Sequence, residues 1–170
     1  MFDLKALSTG AVLAAITATG VAAEDAPFLK YGEVEGWGVF IDSAKKSCLI
    51  EKHDEMGNVV QMGLTEDRAI GYVGVFTKAE TDIKRDDAQA VLISLDGNLY
   101  AGEAMGMRGN ITKGYSGGYV LSDDPQFVDD LARKHVMNVF PEQAYGFSVN
   151  LTGTYKAIEL ARTCNQEQMG

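Results

Sequence analysis

Ser116 stands in Gly114-Tyr115-Ser116-Gly117-Gly118, a match to the G-x-S-x-G pattern of hydrolase nucleophile elbows. That pattern works because a strand–turn–helix corner lifts the serine hydroxyl above a parallel sheet, within reach of an imidazole base. The chain has 2 histidines to serve as that base, His53 and His135. The next residues of the chain, Tyr119-Val120-Leu121-Ser122-Asp123-Asp124-Pro125, have the character of a strand and a turn. A glycine-rich strand is the commoner use of such a stretch. His135 falls on an apolar helical stripe, where a core or boundary histidine is the commoner outcome. No nucleophile, base and orienting acid converge in the sequence, so no catalytic residue is assigned.

Two other clusters carry metal-binding residue types. On a strand only alternate residues share a face, so Glu51, His53 and Glu55 could converge; the competing reading is a solvated strand end. Met105-Gly106-Met107 puts two thioethers on one strand face, the soft ligands of copper carriers, but paired methionines more often fill a core. Asp82, Asp86 and Asp87 lack the spacing, turn glycine and closing glutamate of an EF-hand. Asn110 and Asn150 begin formal N-x-T sequons, Asn150 inside a strand-like segment. No P-loop, dinucleotide fingerprint or Cys-x-x-Cys pair is present, and no cofactor is implied. Trp37, between Gly36 and Gly38, is either a core plug or an aromatic ligand platform.

The elements that must position these residues emerge from composition and pattern. The chain has 170 residues, 46% of them hydrophobic and 23% charged, the profile of a globular domain. Acids outnumber bases 24 to 15, giving a net charge of -9. Such a surface repels phosphate backbones and anionic lipids, which argues against nucleic-acid and membrane-surface roles. Residues 1–23 have the form of a secretory leader: Lys5 near the start, an apolar run from Ala11 to Ile16, and small residues Val21-Ala22-Ala23 at the cleavage position. That run is too short for a membrane span of about 20 residues. Residues 24–170 then form one β-rich domain, periplasmic or secreted, with no membrane insertion after cleavage. In an oxidising compartment 2 cysteines in a small chain pair. Cys48 and Cys164 would close a loop whose entropy is worth up to about 4.7 kcal/mol.

Strands are expected at Val34–Asp42, Ser47–Lys52, Val59–Thr65, Ile70–Thr77, either side of Asp96-Gly97, Gly114–Leu121 and Ala144–Leu151. Asp-Gly suits the positive φ angles of a two-residue hairpin turn. Residues 24–33 form a loose lead-in. Asp124-Pro125 opens a helix, with Phe127, Val128, Leu131, Ala132 and His135 on its apolar stripe and Asp129 and Asp130 outward. A second helix starts near Gly153, and Thr154, Ala157, Ile158, Ala161 and Cys164 share one stripe. Cys164 therefore faces the core, where a bridge to Cys48 would staple the last helix to an early strand. The fold class is α+β: an antiparallel β-rich sheet or sandwich with two packed helices, closed by one disulfide.

Gly36-Trp37-Gly38-Val39-Phe40, Cys48 soon after it, the mid-chain strand VLISLDG and the closing FSVNLTGTYKAIELARTC together resemble the small exported alphaproteobacterial proteins related to the invasion-associated locus B family. Phe40-Ile41-Asp42 departs from that pattern in lacking a cysteine. The resemblance implies a disulfide-closed β-rich fold in the periplasm and transfers no catalytic residue. The expectation is a non-enzymatic binding or interaction module at the cell envelope, its partner an envelope protein or a small ligand. The alternatives are a small envelope serine hydrolase using Ser116 and a periplasmic metal carrier using His53.

Overall fold

The computed structural model describes residues 28–65, 68–83, 88–108 and 114–169, the side chains of residues 88–89 and 103–108 excepted. The leader, the Asn110 sequon and Asp86 and Asp87 lie outside these residues. Among the described residues ten strands and two helices run in the order β1 (Phe28–Val34), β2 (Trp37–Asp42), β3 (Ser47–His53), β4 (Val59–Leu64), β5 (Gly71–Thr77), β6 (Ala88–Leu95), β7 (Asn98–Arg108), β8 (Ser116–Ser122), α1 (Pro125–Arg133), β9 (Val136–Val139), β10 (Phe147–Asn150) and α2 (Thr154–Glu167).

All pairings are antiparallel, in the spatial order β1-β2-β3-β4-β5-β8-β7-β6-β9-β10. Six strands, β1 to β5 and β8, make one half of a sandwich-like fold, and β7, β6, β9 and β10 make the other. The two ends of the sheet curl toward each other. Trp37 on β2 donates its indole N–H to the carbonyl of Thr152, just past β10, at 3.1 Å. Lys52 on β3 reaches the Asn150 carbonyl at 2.8 Å.

Strand alternation explains why this sheet closes around one core. Cross-strand register puts Val39, Ile50, Met62, Val73 and Val120 on one face of the first half. Ile93, Val139 and Phe147 continue that face through the second half. All of these are buried, and they join Trp37, Leu131, Ala157 and Cys164 in one hydrophobic cluster. Trp37 is fully buried and is therefore a core residue. The bridge between Cys48 and Cys164 is present, with the two Cα atoms 6.0 Å apart.

The hairpin at Asp96-Gly97 has φ of 47° and 93°, the positive values that the dipeptide permits. Asp96 does more than turn the chain. Its carboxylate accepts from the backbone N–H groups of His135 and Val136, tying the hairpin to β9. In α1, Asp124 caps the helix by accepting from the Gln126 N–H at 2.9 Å, and Pro125 takes the first position. The start of α2 needs glycine. Gly153 has a φ of 89°, and a Cβ there would come within 2.5 Å of the Glu35 Cβ.

Four details differ from the sequence expectations. The supposed lead-in forms β1 from Phe28, joined to β2 by a tight turn at Glu35-Gly36. Helix α1 ends at Arg133, and His135 leaves the helical stripe to stand exposed before β9. Strand β9 itself was hidden behind that stripe. Asp130 turns inward and is buried instead of facing solvent.

Candidate functional site: an apolar cavity beneath the two helices

The bridge and the carboxamide of Asn165 fix where α2 lies. Asn165 accepts the Cys48 backbone N–H at 2.9 Å and donates to the Ala161 carbonyl at 2.9 Å. This holds the C-terminal half of α2 over β3. Helix α1 is held from the other side. Phe127 packs against the Tyr100 ring, centroids 4.9 Å apart. Asp130 accepts hydrogen bonds from Asn98, Tyr100 and Gln126 at 2.8, 2.7 and 3.0 Å. Those donors hold the Asp130 carboxyl below the usual carboxylate range, Asn98 first.

Because one helix is anchored to β3 and the other to β7, the two do not close fully over the sheet between them. A cavity of about 210 Å³ remains. Ile50, Met62, Leu64 and Val73 contribute to its lining from the strands, Phe127 and Leu131 from α1, and Ile158 and Ala161 from α2. Val128 and Arg162, both exposed, also line it and mark its edge. This volume exceeds the ~150 Å³ apolar cavity known to admit benzene. It falls short of the ~300 Å³ at which drug-sized sites begin. The arrangement suits a small apolar group.

The opposite face of the first half-sheet carries a second ordered array. Tyr72, Phe76 and Tyr119 pack edge to face, with centroids 5.3 and 5.2 Å apart. Their rings lie over glycines: a Cβ at Gly74 would meet the Tyr119 ring at 2.5 Å, and one at Gly117 would meet the Phe76 ring at 2.7 Å. Tyr119 donates to Gln61, Gln61 donates to Glu51, and Glu51 faces the His53 ring, at 3.0, 2.6 and 2.9 Å. Burial, assisted by the Glu51 and Asp42 carboxylates, pushes the Tyr119 phenol up to about 12. Gln61 is itself buried, so this chain of hydrogen bonds satisfies polar groups under an aromatic cover.

The fold scatters the residues that the sequence singled out for chemistry. Ser116 opens β8 opposite Thr77, in unbroken strand pairing. His53 pairs with Val59, Val59 with Phe76, and Phe76 with Gly117. His53 is thus three strands from the Ser116 region, about 14 Å at ~4.8 Å per strand, and strand alternation points the two side chains to opposite faces. His135 lies beside Asp96, past one end of β7, whereas Ser116 pairs with Arg108 at the other end. No serine–imidazole pair forms between these residues. Glu51 and His53 do meet, but Glu55 sits in the exposed turn after them. Among the described residues no three His, Cys, Asp or Glu side chains group as a metal site. The side chains of Met105 and Met107 lie outside the described residues. Asn150 is on β10, where its carboxamide accepts from the Thr152 N–H.

The sequence showed both apolar helix stripes and the thiol that anchors one of them. It did not show the cavity, since the space depends on how far apart the two stripes are held. The nearest signal was the small residue Ala161 on the core stripe of α2. No helix among the described residues is long and apolar enough to cross a membrane. The disulfide is of the kind that persists in oxidising compartments. No family model, curated protein or solved structure matches this chain.

Proposed function

We propose that this chain is an exported, non-enzymatic binding module of the cell envelope, periplasmic or secreted, whose cavity beneath α1 and α2 receives a small apolar ligand. The cavity carries the reading: about 210 Å³, walled by aliphatic and aromatic side chains, edged by exposed Val128 and Arg162. Apolar concavity with few polar groups is the usual form of a small-molecule site. A concave space of this size, roofed by two helices, favours a small ligand over an envelope protein as the occupant. The export address rests on residues 1–23 and on the bridged cysteines. The resemblance to the invasion-associated locus B group points to the same compartment. The acidic surface argues against a nucleic-acid partner.

The test is binding of 1-N-phenylnaphthylamine, which fluoresces when it leaves water. The expected result is saturable binding at one site. Ala161→Leu, which extends a side chain into the cavity from a helix position that accepts leucine, lowers that affinity by about ten-fold or more. Its circular dichroism spectrum stays that of the parent. Absence of saturable binding to the parent, or equal binding by a folded Ala161→Leu protein, overturns the reading.

A further inference from the structure

We infer that the ligand of this cavity is an anionic amphiphile, with its apolar tail between the helices and the sheet and its carboxylate head on Arg162. The inference rests on the reading of the cavity as a ligand site and adds the charge of what it holds. Apart from Arg162, no described residue of the lining carries a formal charge. Two of the other polar side chains there have partners already. Asn165 is engaged at both ends of its carboxamide, by Cys48 and by Ala161. Ser122 accepts from the Asp124 N–H at 3.1 Å.

Arg162 is different. Its Nη1 meets Glu159 Oε1 at 2.5 Å, one turn back on α2, and its side chain is 64% exposed. A guanidinium has five N–H donors in a planar fork, so one such partner leaves most of them for a second acceptor. A carboxylate matches that fork with two parallel hydrogen bonds. An uncharged head would gain less from the fork, and an ammonium head would meet a like charge. Glu159, the acid paired with Arg162, is outside the lining. The position of the charge therefore orients the ligand, with the tail inward and the anion at the rim.

Calorimetric titration of the intact protein with octanoate, octanol and octylammonium tests this, because the three share a tail and differ in the head. Octanoate is expected to bind about ten-fold more tightly than octanol, the scale of a charge-assisted pair, with octylammonium weakest. Arg162→Gln is expected to abolish the preference for octanoate over octanol. Arg133→Gln, on the exposed side of α1 and paired with Asp129, is expected to leave it intact. Equal affinity for the three ligands, or an unchanged octanoate preference in Arg162→Gln, overturns the assignment of the head group. Tightest binding of octylammonium overturns it too, by giving the rim to Glu159. If the naphthylamine probe also fails to bind, the cavity reading fails. If that probe binds and the head groups do not discriminate, only the present inference fails.

Discussion

Asp130 accepts three side-chain hydrogen bonds in a place almost closed to water, and Tyr100 gives one of them. The Asp130–Tyr100 bond acts on both groups. It helps to hold the Asp130 carboxyl below its ordinary range, after Asn98, and it is the main reason the Tyr100 phenol is pushed up to about 12. The consequences for stability have opposite signs on the pH scale. A depressed carboxyl stabilises the fold fully above its unfolded value near pH ~4, and that contribution is lost as pH falls through the folded value. A raised phenol stabilises it fully below the unfolded value near pH ~10, and the contribution is lost as pH rises toward the folded value. Tyr119 and Tyr145, also raised to about 12, act in the same alkaline window. Asp130→Asn should therefore lower the melting temperature at neutral pH and flatten the loss of stability in acid. Melting curves collected across pH decide this. If the curves of variant and parent run parallel below pH ~4, the carboxylate contributes nothing there. The inward turn of Asp130 was not legible in the sequence, because its partners Asn98 and Tyr100 come from a hairpin some thirty positions away. A helical wheel shows only that Asp130 borders Phe127 and Leu131, and its charge then argues for solvent.

The elements that were legible carried their instructions locally. Asp96-Gly97 encodes its own turn, Asp124-Pro125 its own cap, and the stripe from Thr154 to Cys164 its own buried face. The elements that were missed are β1 and β9. Strand β1 lies at the edge of the sheet, and its exposed Leu29, Lys30 and Glu33 obscure the alternation that a half-buried strand would show. Strand β9 has four residues directly after a helix, so the apolar positions of one continue those of the other. The order β5-β8-β7-β6-β9 was out of reach too, because it pairs strands that are distant in sequence. The bridge supplies a prediction at this scale. It joins α2 to β3 across 116 positions, and α1 has no covalent tie of its own. Replacing both cysteines, Cys48→Ala with Cys164→Ala, should cost about 2–4 kcal/mol of unfolding free energy. Urea denaturation measures it, and the loss should appear as a lower midpoint with a steeper slope, because the unfolded chain without its cross-link exposes more surface. A double variant as stable as its parent would show that hydrophobic packing alone seats α2.

For the molecule as a whole, the net charge of -9 sets a competition that can be decided by magnitude. The described ion pairs favour low salt, since screening weakens attraction between opposite charges. They are Lys30–Glu33, Lys45–Asp42, Asp129–Arg133, Glu35–Lys156 and Glu159–Arg162, each with at least one exposed side chain. Exposed pairs of this kind contribute ~0–1 kcal/mol each, often nothing measurable. The excess of acids works the other way. Self-repulsion of like charges raises the free energy of the compact state, and it acts across distances comparable to the screening length, ~30 Å at 0.01 M salt and ~8 Å at 0.15 M. Raising sodium chloride over that interval removes most of the repulsion between separated acids while leaving pairs in direct contact only partly weakened. The melting temperature should therefore rise with salt. A fall would mean that the surface pairs outweigh the net charge. The same titration bears on the cavity. A carboxylate on Arg162 is a pair in direct contact, which salt weakens only in part, while the repulsion of that anion by the surrounding acids is screened along with the self-repulsion of the fold. Octanoate affinity should therefore not fall as the melting temperature rises along one salt series. A fall would mean that the contact with Arg162 outweighs the net charge of the molecule.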